Sequence, residues 1–200
     1  LIEQLLIATG NPGKMVEIHQ ILSPLSLSLN SPLDLGLDLQ VKETGHTYSE
    51  NARLKADAYL EAAGLPVLSD DSGLEVDALD GAPGLYSARF SPKKNADDAD
   101  RRHHLIMELK GKPQPWRAEF RCTAILALPD GRHFETTGCC EGVIIPEERG
   151  TTGFGYDPVF LLPEYGKTMA ELGPEIKNKI SHRARALQAM MPILRQVYGL

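Results

Sequence analysis

Apolar residues run unbroken through Leu5-Leu6-Ile7-Ala8, stop at Thr9-Gly10-Asn11-Pro12-Gly13-Lys14, and resume at helical spacing from Met15 to Leu22. The pattern predicts a buried strand, a Gly-containing turn and a helix. Leu25-Ser26-Leu27-Ser28-Leu29 alternates with period two and predicts a half-buried strand. Tyr48 to Ala63 is rich in Ala, Leu, Glu and Lys, with Gly64 placed to end a second helix.

Farther on, Pro66-Val67-Leu68 leads into Ser69-Asp70-Asp71-Ser72-Gly73, and Leu74 to Asp77 resumes an alternating pattern. The two acids are therefore expected on a turn between strands. Arg101 to Lys110 reads as helix. Glu119 to Leu128 and Arg132 to Ile145 flank Pro129-Asp130-Gly131 and read as a long hairpin. Gly150 to Asp157 is a Gly-rich loop, and Thr168 to Glu171 has capping-box spacing. Ile180, Ala184, Leu187, Met191, Leu194 and Tyr198 share one face of a final helix. Helices alternating with strands early and a hairpin late predict an α/β protein with a mixed sheet.

Length and charge narrow the picture. Two hundred residues suit one folding unit over residues 1–200, of one large domain or two lobes sharing a sheet. A formal charge of -6 argues against broad capture of nucleic-acid backbone or anionic membrane, so any polyanion site must be a local basic cluster. Cys122, Cys139 and Cys140 show no paired CxxC spacing, which indicates neither a zinc site nor a disulfide framework and fits a reducing compartment. No apolar run spans a bilayer and no basic flank precedes the first strand, so a cytosolic protein is expected.

The first turn has the layout of an anion site, because unpaired N–H groups and the positive end of the helix dipole meet there. Asn11 can cap the helix and Pro12 suits its first turn. A Walker P-loop is excluded by spacing: about two residues separate Gly10 from Gly13-Lys14, where that motif needs four, and Met15 follows where it needs Ser or Thr. Asp70 and Asp71 read as turn residues in isolation. Beside a phosphate site, though, a carboxylate adds only repulsion unless a cation intervenes, which points to Mg²⁺ with oxygen ligands. Phe154, Tyr156 and Asp157 can supply a stacking face and an acceptor for a purine ring N–H.

Taken together, TGNPGK from Thr9, ENARLKA from Glu50, SDDSGLEVDAL from Ser69, GAPGLYSARF from Gly81, GFGYDPVF from Gly153 and SHRARAL from Ser181 resemble the inosine triphosphate pyrophosphatase family. The six blocks stand in family order and cover nearly the whole chain. The resemblance implies a long mixed sheet with flanking helices, two lobes with a central nucleotide cleft, and a homodimer. It also implies Mg²⁺-dependent hydrolysis of non-standard purine triphosphates (ITP, dITP and XTP) to the monophosphate and pyrophosphate. By family matching, Thr9, Gly10, Asn11, Pro12, Gly13 and Lys14 hold phosphate, and Asp71 is the catalytic acid and metal ligand. Ser72, Phe154, Gly155, Tyr156, Asp157, Lys177, His182 and Arg183 contact substrate. Lys55 adds a cation or is a solvated helical lysine, and Ser72 equally stabilises its turn.

Relatives often carry acids just before the Glu-Thr-Gly stretch, where this chain has Lys42 ahead of Glu43, and Glu43 can compensate. An Arg183 donor aimed at the C6 carbonyl would favour hypoxanthine and xanthine over adenine. Tyr86, Ser87 and Arg89 fall in a family block without a role derivable from their chemistry. Two other readings remain: a pyrophosphatase for other modified nucleotides, such as pyrimidines, and a non-catalytic nucleotide sensor. Nucleic-acid binding is disfavoured by the acidic balance.

Overall fold

The computed structural model describes residues 3–200. In chain order its elements are β1 (Gln4–Ile7), α1 (Pro12–Leu22), β2 (Ser28–Asn30), α2 (Tyr48–Ala63), β3 (Val67–Val76), β4 (Pro83–Gly84), α3 (Asp98–Leu109), β5 (Trp116–Ala127), β6 (His133–Ile144), β7 (Phe160–Leu162), β8 (Lys167–Thr168), α4 (Met169–Ile180) and α5 (His182–Tyr198). Among the described residues the strands form one eight-stranded sheet in the order β2-β1-β3-β5-β6-β7-β8, with β4 paired to β3. β1 runs parallel to β2 and β3, whereas β3–β4, β6–β7 and β7–β8 are antiparallel. This is the mixed α/β sheet that the sequence predicts. No helix among the described residues is long and apolar enough to cross a membrane.

The chain divides into two compact units. The first holds the stretch up to Ser72, Cys122–Gly138 and His182–Leu200, and the second holds Gly73–Arg121 and Cys139–Ser181. β3, β5 and β6 each contribute residues to both.

In the first unit β1 is apolar on both sides because both sides are covered. Leu5 and Ile7 join Ile18 and Leu22 of α1 and Ala184, Leu187 and Leu194 of α5 in one core cluster. Leu6 and Ala8 join Ala52, Ala56 and Tyr59 of α2 in another. β3 obeys the same alternation, with Leu68 in the α1/α5 cluster and Val67 in the α2 cluster. In the second unit Leu105 and Leu109 of α3 pack with Leu74, Val76, Trp116, Phe120, Tyr156 and Phe160.

Local signals set most helix ends. The Asn11 side chain caps α1 by accepting the Lys14 N–H, and Thr47 caps α2. Gly64, at φ 65°, closes α2 by donating its N–H to the Leu60 carbonyl. The predicted box at Thr168 and Glu171 forms.

Four expectations need correction. The predicted strand over Leu25 to Leu29 shrinks to β2, because Ser23–Leu25 continues α1 as a 3₁₀ turn and Ser26 turns the chain at φ 51°. α3 starts at Asp98 rather than Arg101, since Asp97 and Asp100 form a capping box. The turn expected at Asp70-Asp71 is the middle of the ten-residue strand β3; sheet pairing and buried counter-charges override the turn preference of Asp-Ser-Gly. The single apolar face expected from Ile180 to Tyr198 is broken at Ser181, whose ψ of 158° separates α4 from α5. Ile180 packs in the second unit's core, while Ala184, Leu187 and Leu194 serve the first.

The close approach of β6 to the start of α5 demands a glycine. A Cβ on Gly138 would lie 2.2 Å from the His182 carbonyl oxygen and 2.5 Å from the Ala186 nitrogen. These are backbone atoms with no rotamer to adjust. Gly138→Ala is therefore expected to destabilise the protein by about 1–3 kcal/mol. In thermal unfolding that lowers Tm by roughly 2–4 °C per kcal/mol, and an unchanged Tm would show that β6 and α5 do not meet here.

Candidate active site

The first unit gathers one set of the expected residues. Thr9 and Asn11 build the turn after β1: Thr9 Oγ1 accepts the Asn11 N–H at 3.2 Å and Asn11 Oδ1 accepts the Lys14 N–H at 3.1 Å. With Pro12 in the first turn of α1, Gly10 to Lys14 lie at a helix N-terminus built as the sequence predicts.

β3 places Asp70 and Asp71 on opposite faces of the sheet, and this decides their chemistry. Asp70 shares its face with Leu68 and Ser72, toward α1 and α5, and is buried. Its Oδ2 accepts from Lys14 Nζ at 2.9 Å and from Arg183 Nε at 3.2 Å and Nη2 at 3.1 Å. Its Oδ1 has no hydrogen-bond partner among the described residues. Burial pushes this carboxyl up, but the charges of Lys14, Arg183 and Lys55 outweigh it and hold the group far below the usual carboxylate range.

Asp71 faces α2 instead, on the side where Ser69 Oγ donates to the Ala52 carbonyl at 2.5 Å. Burial and the nearby Glu43 carboxylate raise its pKa despite Lys55, Lys14 and Asn51. Ser72 N–H donates to Asp71 Oδ1 at 3.0 Å. Lys55 is no solvated lysine. Its Nζ donates to the Asp70 carbonyl at 2.6 Å and to Glu43 Oε1 at 2.8 Å, and lies 3.9 Å from Asp71 Oδ1. Burial opposes its charge, yet Asp70, Asp71 and Glu43 raise its pKa. Adjacent carboxylates whose environments drive their pKa values apart are an arrangement that suits acid–base chemistry.

Arg183, expected to aim a donor at a purine carbonyl, directs its guanidinium elsewhere. It is 1% exposed and bonds Asp70, Glu17 Oε2 and, at 3.0 Å, Ser72 Oγ. His182, also buried, is the first residue of α5. Glu17 was not among the expected site residues. Its signal was a lone carboxylate beside Ile18, Ile21 and Leu22, the buried apolar residues of α1.

The second unit gathers the other set. Gly153 at φ 80° and Gly155 at φ 62° flank Phe154. Asp157 Oδ2 accepts the Phe154 N–H at 2.9 Å and also bonds Lys177 Nζ, which lies 4.7 Å from the Phe154 ring centroid. A Cβ on Gly153 would sit 2.1 Å from Asp157 Oδ2, so only glycine fits. The two aromatics have different places: Tyr156 is 4% exposed in the core and donates its hydroxyl to the Ser87 carbonyl at 2.9 Å, whereas Phe154 is only half-buried. Ser87, without a derivable role in the sequence, also accepts the Leu74 N–H at 2.8 Å.

A sequence profile of the Ham1 family matches residues 5–193. The chain belongs to the Ham1 family. It is 47% identical over 196 residues to the dITP/XTP pyrophosphatase of Desulforamulus reducens, covering 98% of this chain and 97% of that one. It is 43% identical to the dITP/XTP pyrophosphatase of Bacillus subtilis, covering 97% and 98%. The Ham1 protein structure from Coxiella burnetii superposes with a TM-score of 0.87 at 36% identity, covering 98% of this chain and all of that one. The Staphylococcus aureus Ham1 structure gives 0.85 at 37%, with the same coverage. The family resemblance read in the sequence, to the inosine triphosphate pyrophosphatases, is borne out by this profile match and by these dITP/XTP pyrophosphatase relatives.

Removing Arg183 from this Ham1 chain leaves Asp70 and Glu17 buried without their guanidinium. Arg183→Met is expected to cost about 3–5 kcal/mol in urea unfolding. Glu17→Gln should cost less, because Asp70 keeps its partner, and the two changes should couple by about 0.5–3 kcal/mol. Simple additivity would mean that the three groups do not act as one network.

Proposed function

We propose that this Ham1 chain hydrolyses ITP, dITP and XTP to the nucleoside monophosphate and pyrophosphate, clearing deaminated purines from the nucleotide pool. The dITP/XTP pyrophosphatase names of relatives at 43% and 47% identity over nearly the full chain support the substrate class. The observation that carries the chemistry is the Asp70-Asp71 pair of β3, one carboxylate neutralised by Lys14 and Arg183 and the other raised by burial and Glu43.

In this reading, Thr9, Asn11, Lys14 and the N–H groups at the start of α1 hold the triphosphate. Asp71 accepts a proton from the water that attacks the α-phosphorus, and a carboxylate whose pKa is raised by burial is the stronger base for that task. The P–O bond to the β-phosphate breaks and pyrophosphate leaves, its charge met by Lys14. Lys55 holds Asp71 and Glu43 in place. In the second unit Phe154 offers a stacking face and Lys177 a cation beside it.

The donor set fits Mg²⁺. Among the described residues no group of three or more His, Cys, Asp or Glu converges on a metal position. Asp71 and Glu43 do present hard oxygen donors around Lys55. Mg²⁺ is commonly held by one or two carboxylates together with substrate phosphates, and these residues match that pattern. Asp71, with Glu43, would hold the ion, which when bound supplies charge neutralisation to the phosphates. A homodimer, implied by the family resemblance, and a cytosolic location, expected from the cysteine usage and apolar pattern of the sequence, belong to this reading, and sedimentation tests the first.

The test is pyrophosphate release from ITP, dITP, XTP, ATP, GTP and modified pyrimidine triphosphates, with Mg²⁺ or with EDTA. Release from the first three only, abolished by EDTA, is expected. Asp71→Asn should lower kcat by about 10²-fold or more. Preference for the pyrimidines would favour the other pyrophosphatase reading, and binding without release would favour the sensor. Orthophosphate in place of pyrophosphate would put the attack on the terminal phosphorus.

A further inference from the structure

The loop from Gly153 to Asp157 has no strand or helix to hold it at Phe154, and two left-handed glycines make its backbone permissive. Asp157 fixes the Phe154 N–H and the Tyr156 hydroxyl anchors the far side. Gly155, between them, is held from outside the loop. Its N–H donates to Asp98 Oδ2 at 2.7 Å and its carbonyl accepts from Arg102 Nη1 at 2.9 Å. Asp98 and Arg102 stand one turn apart on α3, so a single rigid helix face grips both polar groups of one peptide position.

Each gripping side chain is itself braced. Asp98 pairs with Arg101, and Arg102 Nη2 pairs with Glu148 Oε2 at 2.9 Å. Burial would raise the Asp98 carboxyl, but the Gly155 N–H, Arg101 and Arg102 outweigh it and keep the group ionised at neutral pH. Both bonds to Gly155 are thus charge-assisted, the stronger class of hydrogen bond. α3 is in turn locked to the second unit's core by Leu105 and Leu109.

We propose that Asp98 and Arg102 are positioning residues for nucleobase recognition, which clamp Gly155 and thereby set the angle at which Phe154 meets the purine. This rests on the reading of the 153–157 loop as the base site. Neither residue touches the phosphates in that reading, so their loss should weaken base-dependent binding and leave phosphate binding intact.

The experiment compares Asp98→Asn, Arg102→Met and wild type. Amide hydrogen exchange without ligand reads the clamp directly. In Asp98→Asn, which removes the charge behind the Gly155 N–H bond, exchange at Gly155 should quicken about tenfold or more, while emission of the single tryptophan, Trp116, stays native in both variants. KM for ITP should rise about tenfold with kcat little changed, and the ratio of ITP to ATP turnover should fall. The inhibition constant of inorganic tripolyphosphate, which carries no base, should stay at the wild-type value. Unchanged Gly155 exchange would overturn the clamp. An equal loss of ITP and tripolyphosphate affinity, or a fall in kcat at constant KM, would overturn the base-positioning role. Wild-type enzyme that releases no pyrophosphate from the panel would instead sink the functional reading, and the exchange result would still decide the clamp.

Discussion

A single carboxylate oxygen, Oδ2 of Asp70, collects Lys14 from α1 and Arg183 from α5 inside the first unit. Burying a carboxylate is unfavourable by several kcal/mol unless charge and hydrogen bonds compensate it, and breaking such a cluster by one partner leaves the others stranded. The cluster therefore fixes where α1 and α5 lie on β3. The consequences reach the turn before α1, because Lys14 is held at the mouth of the helix N-terminus. They also reach α5, whose first residues approach Gly138 at backbone contact.

The same strand that buries Asp70 turns Asp71 to the other face. Two chemically identical side chains, adjacent in sequence, then acquire opposite electrostatics: one held far below the usual carboxylate range, the other raised above it by burial and by Glu43. The alternation of a β-strand performs the separation, and the helices that cover the two faces supply the difference. A turn at this point, as local propensity suggests, would leave both acids in water and both ordinary.

The second unit solves a different problem. Its loop holds Phe154 without regular structure around it, by burying Tyr156, pairing Asp157 with Lys177 and bonding Gly155 to α3. Glycine appears where it is needed, most plainly at Gly153, where any side chain would meet Asp157.

Much of this was legible in the residues. The apolar run of β1, the Asn11 cap, the hairpin of β5 and β6, the box at Thr168 and the six family blocks are local or contiguous features, and local physics or direct comparison reads them. The strand through Asp70-Asp71, the early start of α3, the break at Ser181, the burial of Tyr156 and the role of Glu17 were not read from it. Lys14 lies 56 residues from Asp70 and Arg183 lies 113. A side chain's charge state and orientation depend on which groups the fold brings against it. The sequence by itself determined most of the elements, the family and the candidate residues; the tertiary structure decided which aspartate is held ionised by a cation cluster and which has its pKa raised, because that follows from the charges packed on each face of one strand.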